Sequence, residues 1–303
     1  MTEGRVKGAA EPIWDSHVHL LPERRTRSLV RWIKKAFPGH PSREDFTQDD
    51  IIADLKGCGV QVIFNLVFPL EEEETEPLND FSAEVARSYD FVVPFGSMHA
   101  ETPRKEEVAE RCLVDRGLAG IKLHPYVQGF EAFSPGFEPL YRKLNELERP
   151  FIVHTGFDVF YRKSQDLSYL RGILDRYPEM PVVLVHSLFP RFRLAYELMV
   201  EHEHLYIDMT NVLSAVRWYL ESPPGAWPRE EVELLERNLE HFHELVGNYS
   251  ERIMFGTDHP AGMGSPEQIY ADFESFAFKP QVRRNLLGAT ARRFLEECCG
   301  RSI

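Results

Sequence analysis

The chain has 303 residues, 43% of them hydrophobic and 27% charged, a composition that supports a large packed core and excludes a disordered chain. Its formal net charge of −13 would repel a phosphate backbone, and no apolar run approaches the roughly 20 residues of a membrane span, so neither nucleic acid nor membrane is an expected partner. The opening MTEGRVKGAAEPIW lacks the apolar core of a secretion signal, and Cys58, Cys112, Cys298 and Cys299 follow no zinc-finger or disulfide spacing, so a cytoplasmic protein with reduced thiols is expected.

In chain order, short apolar runs rich in Val, Ile and Phe alternate with amphipathic segments. IWDSHVHL begins at Ile13, VQVIFNLV at Val60, FVVPFGSMH at Phe91 and LAGIKLH at Leu118. FIVHTG from Phe151, VVLVHS from Val182, LYIDMTN from Leu205 and RIMFGTDH from Arg252 complete a set of eight predicted strands. Between them SAEVARSYD, EEVAERCLVDRG, PLYRKLNELERP and LSYLRGILDRYPEM repeat apolar residues at three- and four-residue spacing, as helices with one buried face do. Eight such units, in a fold that commonly takes about 250 residues plus insertions, predict an α/β chain forming a (β/α)8 TIM barrel, a single domain over 1–303. Two connections are lengthened. One extension, 21–50, follows the first strand; the other, 214–245, follows the seventh, where SPPGAWP marks irregular loop before the helical PREEVELLERNLEHFHEL.

In this fold, chemistry gathers at the C-terminal ends of the strands, and that rule sorts three His-x-His pairs. His202 and His204 precede the seventh strand, at the opposite end, and EHEHL reads as a solvated charged turn. His241 and His243 fall within a predicted helix, where residues two apart point in different directions. His17 and His19 close the first strand, and the period of two aims both imidazoles to one face. His154 closes the fifth strand, His186 the sixth and Asp258 the eighth, so five polar groups meet at the mouth of one barrel and offer ligands to a metal ion.

The segments DSHVHL, GIKLHP, FIVHTG, VVLVHS and FGTDHP, with the closing RRNLLGATARRFLEE, resemble the amidohydrolase superfamily. The resemblance is nearest to its amidohydrolase-related branch of single-metal hydrolases and decarboxylases, which includes aminocarboxymuconate semialdehyde decarboxylase, and it runs along the whole chain. It implies metal ligands at His17, His19, His154 and Asp258, with His186 as catalytic acid, base or electrostatic partner. Lys122 leaves an alternative open. In two-metal members a lysine at the end of the fourth strand is carboxylated and bridges two ions, with His154 and His186 then holding the second. His124 shares the parity of Lys122 and is expected to face the same cavity, where it would bind substrate or pack beneath a loop. One ion per chain is favoured over two.

Histidine nitrogen and carboxylate oxygen suit Zn²⁺ first, with Mn²⁺, Fe²⁺ or Co²⁺ as alternatives. The expected activity is hydrolysis of an amide, ester or lactone of a small organic acid, with Asp258 taking and returning the proton of metal-activated water. The alternative is a lyase of the same branch, a decarboxylase or hydratase using the same residues. The complete ligand set weighs against a barrel that binds metal without catalysis. Arg162, Arg191 and Arg217 follow the fifth, sixth and seventh strands, with Arg24, Arg25, Lys163 and Arg193 also near strand ends, so an anionic substrate held by arginine is expected. The run EEEETE from Glu71 reads as a solvated loop. Homo-oligomerisation is compatible with the sequence and not specified by it.

Overall fold

The computed structural model describes residues 12–301 other than Pro38 and Pro224; the segment before Pro12, read above for a secretion signal, lies outside the described residues. All eight apolar runs form parallel strands. They are β1 Ile13–Val18, β2 Val60–Asn65, β3 Val92–Pro94, β4 Gly96–Ser97, β5 Ile121–Leu123, β6 Phe151–His154, β7 Val182–Val185, β8 Leu205–Asp208 and β9 Ile253–Met254. The third run is broken into β3 and β4 at Phe95, next to Pro94, which lacks an N–H for the ladder. Backbone hydrogen bonds cross the break, from Phe95 N to the Asn65 carbonyl (3.1 Å) and from Ala119 N to the Pro94 carbonyl (2.8 Å).

The ladder also returns on itself. Ser16 N donates to the Phe255 carbonyl (3.1 Å), Asp258 N to the His17 carbonyl (2.8 Å) and His19 N to the His259 carbonyl (2.9 Å), joining the last strand to the first. The expected (β/α)8 ring is therefore closed by main-chain bonds beyond the strand ends. Gly256 permits this approach, because a Cβ there would stand 2.6 Å from His17 N.

Alternation along the strands separates two cores. Phe151, Val153, Leu184 and Ile207 pack outward against helices, whereas Ile152, Val183, Val185 and Tyr206 fill the barrel with Phe64 and Phe95. Phe294 and Leu295, from the terminal helix Thr290–Cys298, join that inner cluster and plug one end. In β1 a register irregularity between Asp15 and Val18 changes the parity. Trp14 thus belongs to the inner cluster, Val18 to the outer shell, and His17 and His19, on either side of Val18, converge with Asp258.

The two extensions are helical. After β1 comes helix Glu23–Ala36, whose buried Val30 and Ile33 fix one face, followed by irregular chain and helix Gln48–Gly57. After β8 come helices Val212–Glu221 and Arg229–Tyr249, separated by the irregular stretch expected from SPPGAWP. His241 and His243 sit in the latter helix as expected. His202 departs from its solvated reading: it is buried beside the C-terminal end of helix Phe192–Glu201, where Arg252 gathers the carbonyls of Met199 and His202 and so draws the turn inward. The four cysteines are free thiols. Among the described residues no helix is long and apolar enough to cross a membrane.

Candidate metal centre and its cavity

The strand-end residues meet at the open end of the barrel. One donor atom each from His17, His19 and Asp258 lies within 4.8 Å of the others, and all three residues are buried. His17 Nδ1 donates to Asp208 Oδ2 (3.0 Å) and His19 Nδ1 donates to the Leu66 carbonyl (2.6 Å). Each Nδ1 is thereby occupied, and each Nε2 is turned toward Asp258 Oδ1, at 3.5 Å for His17 and 2.8 Å for His19. Asp258 Oδ2 accepts from Asn211 Nδ2 (2.8 Å). The residues are held firmly enough to strain the chain: Asp258 and His186 both have positive φ, 60° and 61°, which non-glycine residues adopt only where surroundings impose it.

His154, His186, His124 and Lys122 complete the surroundings. The His186 ring centroid is 5.6 Å from His17 and 4.3 Å from His154, and its Nδ1 donates to the Thr210 carbonyl (2.6 Å). His154 stands outside the three-donor group, stacked on His124 at 3.9 Å, with its buried Nε2 unpartnered. Lys122 is fully buried and its Nζ also lacks a partner. His124 lines the cavity, as its parity implies.

Burial sets most of the protonation states. It holds the imidazoles of His17, His124 and His154 well below their usual range, reinforced by Lys122 for the first two and by His124 for the third. His186 is lowered by burial too, with Asp258 opposing. Burial pushes Lys122 down to about 8 and Asp208 up to about 6. Burial would also raise Asp258, but the adjacent His17 and His19 outweigh it and hold this carboxyl below the usual carboxylate range. Imidazoles whose Nδ1 atoms are engaged, with a carboxylate within reach of their Nε2 atoms, form a donor set that fits a divalent transition ion. The orphaned His154 Nε2 is a further buried nitrogen able to join them.

A cavity of about 480 Å³ opens onto these groups. His19, His124, His154, His186 and Asp258 form its floor, while its sides are largely aromatic and aliphatic. Of the rim arginines named from sequence, Arg162, Arg191 and Arg217 do not line it, whereas Arg25 does. Arg191 donates to Asp158 (2.5 Å), whose other oxygen accepts from the cavity-lining Tyr126 (2.5 Å). Arg217 is committed to Asp272 (2.6 Å) and Glu221 (3.1 Å), and Arg162 is exposed and absent from the lining. In an acidic chain, carboxylates near by draw these guanidinium groups away. Among the described lysines and arginines, Arg25 alone lines the cavity; it touches Glu74 at 3.3 Å and the Phe68 carbonyl at 3.3 Å, and its buried Nε lacks a partner.

Three contributors escaped the sequence reading. Asp208 ends β8 as His154 ends β6, so the strand-end rule alone would have found it. Asn211 follows three residues later, and its contact with Asp258 spans 47 residues of sequence, with no local signal. Asp15 accepts from His17 N (3.0 Å), Thr257 N (3.0 Å) and Thr257 Oγ1 (2.7 Å), tying the first strand to the last; burial pushes its carboxyl up to about 7 against those hydrogen bonds.

Comparison with known proteins agrees with this architecture. No curated protein matches the chain by sequence. Among solved structures, an uncharacterized TIM-barrel protein from Bordetella bronchiseptica superposes with a TM-score of 0.69 at 20% identity, covering 96% of this chain and 100% of that one. A 5-carboxyvanillate decarboxylase from Sphingomonas paucimobilis gives 0.66 at 13% identity, covering 95% and 99%. A second 5-carboxyvanillate decarboxylase, from Novosphingobium aromaticivorans and complexed with manganese and 4-hydroxy-3-methoxy-5-nitrobenzoic acid, gives 0.62 at 14% identity, covering 97% of each chain. The family profile described as amidohydrolase matches residues 14–296, from the strand that carries His17 and His19 through Asp258 to the helix that plugs the barrel, and the chain belongs to that family.

Proposed function

We propose that this protein is a metal-dependent lyase that removes carbon dioxide from a small aromatic acid, with His17, His19, His154 and Asp258 holding one divalent ion. The observation that carries the reading is the cavity: among the described residues one cation, Arg25, in largely aromatic and aliphatic walls above a histidine–aspartate floor. A carboxylate entering such walls loses hydration, and its charge disperses as carbon dioxide leaves, so an apolar enclosure favours that step. The similar structures that are decarboxylases of substituted benzoates support it, and the manganese in one makes Mn²⁺ as suitable as Zn²⁺ here.

When bound, the ion supplies positive charge to anchor oxygens of the substrate and to stabilise an ionised hydroxyl. Asp258, held ionised, accepts the proton of a hydroxyl neighbouring the carboxylate and delivers it to the ring carbon. The bond from that carbon to the carboxylate breaks, carbon dioxide departs, and the product oxygen retains the negative charge. Neutral His186, fixed through Nδ1 to the Thr210 carbonyl, keeps Nε2 as a hydrogen-bond acceptor at the cavity floor. Arg25 offers its free Nε–H to a second anionic group on the substrate.

Hydrolysis is the second reading, favoured by the ionised Asp258 beside His17 and His19, an arrangement that also suits taking a proton from water. The two readings separate in one experiment. Protein reconstituted with Mn²⁺ or Zn²⁺ is given hydroxybenzoates in parallel with aryl esters and lactones, with evolved carbon dioxide and released acid both measured. Carbon dioxide from a hydroxybenzoate supports the lyase; ester or lactone cleavage without it overturns the lyase in favour of hydrolysis.

A further inference from the structure

Helix Glu23–Ala36 forms one side of the cavity, and Arg25, Ser28, Leu29, Trp32 and Ile33 face it at three- and four-residue spacing. The face is graded. Arg25 lies at its inner end, 6.0 Å over the ring of Phe68, which itself packs on His19 (5.3 Å) and His124 (5.1 Å). At the outer end Trp32 stacks on Tyr161 at 6.1 Å with 14° between planes and meets Phe160 edge-on at 5.5 Å; Phe37 stacks on Phe160 at 5.1 Å and 11°. Tyr161 continues inward, edge-on to His154 at 5.1 Å.

Phe160 and Tyr161 belong to the short helix Asp158–Tyr161, which follows β6. Ring contacts hold this helix and the inserted helix against one another where both line the cavity. Trp32 remains 39% exposed, so it sits where the cavity meets solvent, far along the helix from Arg25.

We propose that the Trp32–Tyr161 and Phe37–Phe160 stacks determine specificity by length: they close the outer end of the cavity and limit how far an acid anchored at the histidine floor can extend. The inference rests on the reading of the cavity as the seat of an aromatic acid. Trp32 and Phe160 are specificity residues in this account. A small acid fills the space beneath them, whereas an acid extended on the side opposite its carboxylate must displace a stacked ring.

The test is calorimetric binding of 2-hydroxybenzoate and 4-phenyl-2-hydroxybenzoate to metal-reconstituted wild type, Trp32→Ala, Trp32→Phe and Phe160→Leu, with thermal melting to verify folding. Wild type should favour the smaller acid. Trp32→Ala should shift the affinity ratio toward the extended acid by about tenfold, the scale of one aromatic packing interaction, and Trp32→Phe should restore most of the wild-type preference. Phe160→Leu should shift the ratio the same way and carries the test if Trp32→Ala does not fold. An unchanged ratio in the folded variants, with both acids still binding, would overturn the length limit and leave the aromatic-acid reading standing. Failure of both acids to bind metal-loaded wild type would overturn both.

Discussion

The two sides of the cavity are built differently. On the strand side, His17, His19 and His186 each spend Nδ1 on an acceptor carried by another strand end, so the Nε2 atoms have little freedom. On the helix side, Trp32 and Phe37 are located by ring contacts, and Arg25 by long contacts to Glu74 and the Phe68 carbonyl. Hydrogen bonds to backbone fix direction as well as distance, whereas stacked rings tolerate sliding. Chemistry that needs atoms placed to within about 0.5 Å belongs on the first side, and discrimination among substrate shapes belongs on the second.

Substitutions on the strand side should strike rate and metal, and those on the helix side should strike substrate affinity. The largest effect is expected from Asp258→Asn, which keeps shape and removes the base: turnover should fall about 100-fold or more with the melting temperature little changed. Near-wild-type turnover would remove Asp258 from the proton transfer. Asp208→Asn should weaken metal retention about 10- to 100-fold, because His17 loses the carboxylate that sets its tautomer and raises its basicity. Metal titration followed by elemental analysis measures this, and the same assay should find about one ion per chain in wild type and in Lys122→Ala. Loss of an ion with Lys122 would instead indicate a bridged pair.

Arg25→Gln tests the other side. It should raise KM for a hydroxybenzoate bearing a second carboxylate about tenfold while kcat changes less, the pattern of a binding contact made in ground and transition states alike. A fall in kcat at unchanged KM would move Arg25 into the reacting machinery. The smallest effects are expected at the rim. Arg217→Ala should cost about 1 kcal/mol of stability through its lost contacts to Asp272 and Glu221, read by denaturant unfolding, with KM unaltered. Arg162→Ala should alter neither stability nor KM.

The rim also shows why Arg191 and Arg217 turn away from the cavity although Arg25 lines it. Position after a strand places a residue near the mouth, but the direction of a long flexible side chain depends on which carboxylate is nearest. Asp158 and Asp272 claim Arg191 and Arg217, and Asp272 lies 55 residues from its partner. For the short imidazoles at strand ends the rotamer choice is narrow and the pleat settles direction, so His17, His19, His154 and His186 were legible where Arg191 and Arg217 were not.

Sequence by itself determined the eight parallel strands, the helical covering layer, both extended connections and the histidines and Asp258 at the mouth. These follow from local periodicity and from a topological rule that places strand ends together. Tertiary structure alone decided what each of those groups faces. The register change in β1 reverses parity between Trp14 and His17, and main-chain bonds from Asp258 and Ser16 close the ring. Asp208 and Asn211 meet their partners 191 and 47 residues away, and the inserted helix brings Arg25 and Trp32 over the opening. Such contacts depend on the relative placement of elements distant in sequence, which the pattern within any one element does not encode.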